Sequence, residues 1–204
     1  MGRKSLAKER RVQIAEALYR CVCKYGLPNS TIKKIADEAG VTYGLLHHYF
    51  KDRDEIIEEL VDKLVVELST SYAEELQKHK DQKTRFSKGI DFLFGPEAIN
   101  KDQIIFFYNC WAEAKLNPKI SKTLTRLYRL YRKAVLDLLI ETGMTSHLSS
   151  EEAKDLASMI LAIQDGVDLQ WDMDRENVDL KRMSRLTKKF IEFYLENKRK
   201  PKDS

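Results

Sequence analysis

Residues 42–53, TYGLLHHYFKDR, put two histidines, two tyrosines, a lysine and an arginine within twelve positions that otherwise read as helix. Imidazole and phenol groups donate and accept hydrogen bonds near neutral pH, so such a cluster can bind a metal, move a proton or touch an external polar surface. The spacing argues against the first two. Adjacent His47 and His48 diverge by about 100° on a helix and cannot chelate one ion together. No HExxH pattern is present, and no cysteine or carboxylate stands one turn away in the right sense. With Val41, Leu46 and Phe50 facing inward, Tyr43, Gly44, Leu45, His47, His48 and Tyr49 are left at the outside or its margin. Their types suit a DNA duplex. Histidine and tyrosine donate to phosphate oxygens or base edges, Gly44 lets the backbone come close, and Leu45 can meet a thymine methyl. Lys51 and Arg53, just past the end, are placed for flanking phosphates.

A second constellation lies further along. Aromatic residues cluster in IIFFYNCW (104–111) and RLYRLY (126–131), where core packing and a ligand cavity are both open readings. Asp165 sits in the apolar run MILAIQDGV, where an ionised carboxylate needs a partner, and an internal arginine or lysine is expected, with a ligand group as the alternative. Arg126, Arg129, Arg132 and Lys133 suit either an anionic ligand such as an acyl-thioester head group or a solvated face.

The elements that position these groups are helices. Eight glycines and four prolines punctuate the chain, and no stretch alternates apolar and polar residues long enough for a sheet. Val12, Ile14, Leu18, Val22 and Tyr25 form a stripe that stops at Gly26, which predicts a first helix over 8–25 with a left-handed glycine cap. Thr31 is placed to cap a second helix and Thr42 a third, Tyr43 to Phe50, after the turn at Gly40. Two short helices joined by a tight glycine turn behind a longer helix make a helix-turn-helix unit. Asp52 with Glu55 starts a long helix through Leu76, and further helices are expected over 81–93, 103–115, 118–141, 149–171 and 179–197. The fold class is therefore all-α, an N-terminal three-helix DNA-binding domain (1–53) plus a larger helical regulatory and dimerisation domain (54–197) and a basic tail (198–204).

Composition sets the outer limits. With 43% hydrophobic and 33% charged residues and no run of about 18 apolar positions, the chain has no bilayer-spanning segment, and its charged start, MGRKSLAKERR, lacks the apolar stretch of a secretory signal, so a cytoplasmic location is expected. Three cysteines, two of them only two positions apart on a helix, make neither a disulfide framework nor a zinc site. Residues 1–53 hold eleven Lys/Arg against five Asp/Glu, an excess of six positive charges in a chain whose net charge is +4. That basic end suits an anionic partner, and nucleic acid is the usual one.

The stretch TIKKIADEAGVTYGLLHHYFKDRDEI resembles the N-terminal signature of TetR/AcrR-type transcriptional regulators, through Thr31, Ile35-Ala36, Ala39-Gly40-Val41-Thr42, Gly44-Leu45, Tyr49-Phe50, Lys51 and Ile56. AIQDGVDLQW resembles the Asp-Gly helix that often precedes the last helix of that family. Two positions depart from the pattern: His47 stands where tyrosine is usual, and Arg53 replaces a lysine. The resemblance implies a DNA-binding set of Lys4, Thr31, Thr42, Tyr43, Gly44, Leu45, His47, His48, Tyr49, Lys51 and Arg53. It also implies a ligand cavity, lined by Phe107, Trp111, Tyr128, Tyr131 and Asp165.

Helix 149–171 is apolar around much of its circumference, and Met183, Leu186, Phe190 and Tyr194 give the last helix its own stripe, so the two can pair with their copies as a four-helix bundle. The expected function is a homodimeric ligand-responsive regulator, a repressor that binds a palindromic double-stranded operator and is released by a small-molecule effector, hydrophobic in character. No cofactor, metal or membrane is expected. The rivals are a DNA-binding regulator that answers to a protein partner or to nothing, and a helical enzyme, for which no nucleophile–base pair or phosphate loop can be found.

Overall fold

The structure, a computed structural model, describes residues 3–199, the side chains of 3–5 and of 199 excepted. The backbone of Lys4 lies in the first helix while its side chain, like residues 200–204 of the basic tail, is outside the described part. Among the described residues every regular element is helical: α1 (Arg3–Tyr25), a 3-10 turn (Leu27–Asn29), α2 (Ile32–Glu38), α3 (Tyr43–Tyr49), α4 (Arg53–Gln77), α5 (Gln82–Leu93), α6 (Lys101–Ala114), α7 (Pro118–Glu141), α8 (Ser150–Met173) and α9 (Leu180–Arg199). Two compact units share them. One comprises Met1–Glu67 and Lys101–Leu127, the other Leu68–Asn100 and Tyr128–Ser204, so α4 and α7 each run through both.

In the first unit the stripe of α1 is the core. Ile14, Leu18 and Val22 are fully buried, together with Ile35 of α2, Leu46 of α3 and Phe50 just beyond it. Each such side chain contributes about 1.5–3 kcal/mol through the water it escapes. The capping residues act as their types require: Thr31 accepts from the Lys34 N–H and Thr42 from the Leu45 N–H. Gly40, at φ +64°, closes α2 while its own N–H reaches the Asp37 carbonyl and the Val41 N–H reaches Ala36, a Schellman pairing that turns the chain into α3. Gly26 differs from expectation. Its φ of 75° and ψ of 159° lie outside the left-handed helical region, in one that only glycine enters readily. Helix α1 also begins earlier than its apolar stripe, because Lys, Ala, Glu and Arg before Val12 favour helix without any periodic pattern.

In the second unit α9 packs on α5 and α8, its Ile191 and Leu195 are buried, and Asp91 accepts from Ser184 (2.7 Å) and pairs with Lys188 (2.7 Å). Ser149 and Glu152 form the reciprocal capping box at the start of α8. Gly89 of α5 is required by close approach: an added Cβ would stand 2.5 Å from Leu138 Cδ2 and 3.1 Å from the Tyr72 hydroxyl. Leu138 is itself buried, so it has little room to yield. Gly89→Ala is therefore expected to lower stability by about 1–2 kcal/mol, since overpacking costs roughly 1–3 kcal/mol and the better helix propensity of alanine offsets about 1 kcal/mol. Thermal unfolding checks this, and an unchanged melting temperature would show that the α5–α7 contact is loose.

Candidate nucleic-acid interface and effector site

Helix α3 is only seven residues long, and its exposure divides as its sequence predicts. Leu46 is buried, while Thr42, Tyr43, Gly44, Leu45, His47 and His48 are exposed and Tyr49 is half-buried. Tyr43 leaves 57% of its surface open. Its ring meets that of His47, one turn on, edge-on at 4.5 Å, and adjacent His48 and Tyr49 meet in the same way at 5.1 Å. A Cβ on Gly44 would meet nothing within 4 Å; no neighbour inside the protein requires glycine there.

The far end of α3 is held by Arg11 of α1. Its guanidinium donates to the Tyr49 carbonyl (2.6 Å), pairs with Glu59 (2.7 Å) and Glu55 (3.3 Å), and lies over the Phe50 ring at 4.1 Å. At the start of α4, Asp52 accepts from the Glu55 N–H and Glu55 from the Lys51 N–H, close to the expected capping box. Lys51 is exposed beside α3, and Thr31 is exposed at the start of α2. Arg53 is placed differently from the phosphate-facing position expected of it. Its guanidinium donates to the Leu27 carbonyl (2.8 Å) and pairs with Glu113 (3.1 Å).

Of the expected effector residues, the structure brings Tyr128, Tyr131 and Asp165 together in the second unit. Tyr128 donates its hydroxyl to Asp165 at 3.2 Å. Phe107 and Trp111 lie on α6 in the first unit, both half-buried, with Trp111 against Tyr108 at 5.2 Å between ring centres. The expected basic partner of Asp165 is a correction: among the described residues no lysine or arginine pairs with it, and Tyr128 takes that place. Asp168, one turn on, is a residue that sequence reasoning missed. It accepts from Gln164 (2.8 Å), and its Oδ1 is buried with no partner among the described residues. Burial pushes the Asp165 carboxyl up to about 6, against the opposing Tyr128 hydrogen bond. Burial and then the charge of Asp165 push Asp168 up to about 8. Burial likewise raises the Tyr128 and Tyr131 phenols above their ordinary range, with the charge of Asp165 adding to it. Among the described residues no lysine or arginine pairs with either carboxyl, and two such carboxyls beside two tyrosines are an arrangement suited to positive charge. Among the described residues no group of three or more His, Cys, Asp and Glu is placed to hold a metal ion, and no helix is long and apolar enough to cross a membrane.

Residues 14–60 match the family described as bacterial regulatory proteins of the tetR family, and residues 82–196 match the C-terminal family of BetI-type transcriptional repressors. The chain belongs to the TetR family of transcriptional regulators. The resemblance carried by residues 31–56 is thus the family itself, and the chain is a DNA-binding transcriptional regulator. A relative in this family, the HTH-type transcriptional regulator BetI of Burkholderia mallei, is 25% identical over 194 residues, covering 94% of this chain and 96% of that one. A TetR-like fold is also seen in a transcriptional regulator from Saccharomonospora viridis in complex with choline, with a TM-score of 0.74, 24% identity and coverage of 91% of this chain and 96% of that one. A third is the regulator FadR from Bacillus subtilis in complex with stearoyl-CoA, with a TM-score of 0.73, 21% identity and coverage of 88% and 96%.

Proposed function

We propose that this TetR-family chain is a homodimeric repressor that reads a palindromic operator with α3 and releases it on binding an organic cation. The observation that carries the DNA reading is the outward face of α3, whose aromatic, histidine and glycine residues no need of the fold explains. Residues 1–53 form the DNA-binding domain, with Lys4, Thr31, Thr42, Tyr43, Gly44, Leu45, His47, His48, Tyr49 and Lys51 as its contact set. Residues 54–197 form the effector and dimerisation domain.

The effector class follows from charge. Asp165 and Asp168 stand beside Tyr128 and Tyr131 with no basic partner among the described residues, which disfavours an acyl-thioester and favours a small quaternary or tertiary amine of the kind held by the Saccharomonospora viridis protein. The basic residues of α7 that would serve an anion are engaged elsewhere or solvated: Arg126 pairs with Asp62 (2.6 Å), Lys133 with Asp137 (2.5 Å), and Arg129 and Arg132 are exposed. To switch the protein almost completely, such a cation must prefer one arrangement of the helices by about 5.5 kcal/mol. The test is fluorescence anisotropy of a duplex selected by the wild-type protein from random-sequence DNA, titrated across salt and then with choline. Steep loss of affinity with salt and release by choline support the reading; a flat salt dependence counts against phosphate contact.

Dimerisation is proposed through α8 and α9. Their inward faces are buried, yet Met159, Leu186, Phe190 and Phe193 are exposed on the outside, the last two by 58% and 67%. Apolar residues grouped in this way mark an interface. A double variant, Phe190→Glu with Phe193→Glu, is expected to halve the mass measured by light scattering and to remove tight operator binding. A double variant that stays dimeric would place the interface elsewhere.

A further inference from the structure

Three consecutive residues at the start of α4 each reach a different residue of the α6–α7 corner. Asp52 pairs with Lys119 (2.6 Å), Arg53 with Glu113 (3.1 Å), and Asp54 accepts from the Asn117 side-chain amide (2.9 Å). All six lie in the first unit. They differ in weight. Asp52–Lys119 is largely solvated, and although the ammonium holds the Asp52 carboxyl below its ordinary range, an exposed pair contributes little. Arg53 and Glu113 are each only about a quarter exposed, and the same guanidinium closes on the Leu27 carbonyl in the turn before α2. Asn117 has two tasks at once: its side-chain oxygen accepts from the Lys119 N–H (3.0 Å) as the cap of α7, while its amide holds Asp54.

The other side of α4 is tied to the DNA-reading helix. Glu55 and Glu59 hold Arg11, and Arg11 holds the last carbonyl of α3. A continuous set of polar contacts therefore runs from the N-terminus of α7 through the first turn of α4 to the end of α3. Helix α7 also carries Tyr128 and Tyr131, about three and four turns beyond its cap.

We propose that Arg53, with Asp52 and Asp54 beside it, is a positioning residue that fixes the DNA-reading helix to the α6–α7 corner, so that a shift of α7 reaches α3 through these three contacts. The proposal rests on the repressor reading above and deepens it by naming how the effector signal is carried. It also assigns Arg53 to the protein interior and leaves the flanking phosphate to Lys51.

A charge exchange tests it. Arg53→Glu and Glu113→Arg are each expected to weaken binding to the selected duplex by roughly 3- to 30-fold, the range over which coupling residues act. The double variant is expected to return to within about threefold of wild type, with the slope of affinity against salt unchanged. If Arg53 instead binds phosphate, Glu113→Arg leaves affinity equal or higher, the double variant stays weak, and the salt slope falls by about one; that result overturns the proposal. The milder Glu113→Gln and Asn117→Ala variants cover the case in which a reversed charge fails to fold. Both are expected to speed amide hydrogen exchange in residues 43–50 of the free protein and to raise the choline concentration needed for release. Unaltered exchange there removes the latch even if the protein binds DNA. Failure of wild type to select any duplex removes the repressor reading, while the exchange measurement still decides the latch.

Discussion

Gly44→Ala is expected to leave the free protein as stable as wild type or more so, and to weaken operator binding by roughly 5- to 150-fold. The two halves of this result have separate causes. In a seven-residue helix glycine costs about 1 kcal/mol relative to alanine, and the new methyl group would meet nothing within 4 Å. Stability should therefore rise, by about 2–4 °C in melting temperature for a chain of this size. Only a body outside the protein can object to the added methyl. If α3 lies against a duplex, the methyl pushes the backbone away from base edges, each of whose paired contacts is worth about 1–3 kcal/mol. Thermal unfolding and anisotropy on the same sample check both halves. A more stable variant with unaltered affinity would mean that Gly44 faces open solvent in the complex.

The second large effect concerns the acidic pair. Asp165→Asn together with Asp168→Asn is expected to lower choline affinity by roughly 10- to 150-fold, since contacts to charged groups are worth about 1.5–3 kcal/mol, while operator affinity without choline stays near wild type. Protonation should do the same to the wild-type protein. Both carboxyls are raised, Asp165 to about 6 and Asp168 to about 8, and the proposed cation would be held by their charged forms. Binding between those values then releases one proton, so choline affinity rises with pH, by about tenfold per unit, and levels off above the upper value. Below the lower value two protons are released and the dependence steepens. Calorimetry in buffers of different ionisation enthalpy counts the protons directly. An affinity independent of pH, or unmoved by the double substitution, would place the effector elsewhere.

These two sites were legible to different degrees. The face of α3 could be read because helical period and capping are local: Thr42 and Gly40 set where the helix begins, and that phase decides which side chains turn outward. The same holds for Ser149 and Glu152 at α8 and for Asn117 at α7. Partners between helices carry no such local signal. Glu113 stands 60 positions from Arg53, and nothing in either neighbourhood announces the pair, so a phosphate was the natural expectation for the arginine. Asp165 was conspicuous for its apolar surroundings, but its partner depends on which residue of α7 faces it, and that proved to be Tyr128. Asp168 had a usable signal, a second carboxylate one turn along the same buried helix, which the emphasis on a basic partner obscured. Phe107 and Trp111 show the limit of composition, because aromatic residues at helical spacing look alike whether they line a cavity or fill a core.

Dimethyl sulfate protection on the selected duplex bears most directly on the whole account, because the reagent marks guanine N7 in the major groove and adenine N3 in the minor groove. Two α3 helices related by a twofold axis should shield guanine N7 at two places about 10–10.5 base pairs apart, or a multiple of that, with Tyr43→Ala and His47→Ala uncovering them. Shielding confined to adenine N3, or none at all from protein that is bound, would mean that the exposed face of α3 does not enter the major groove.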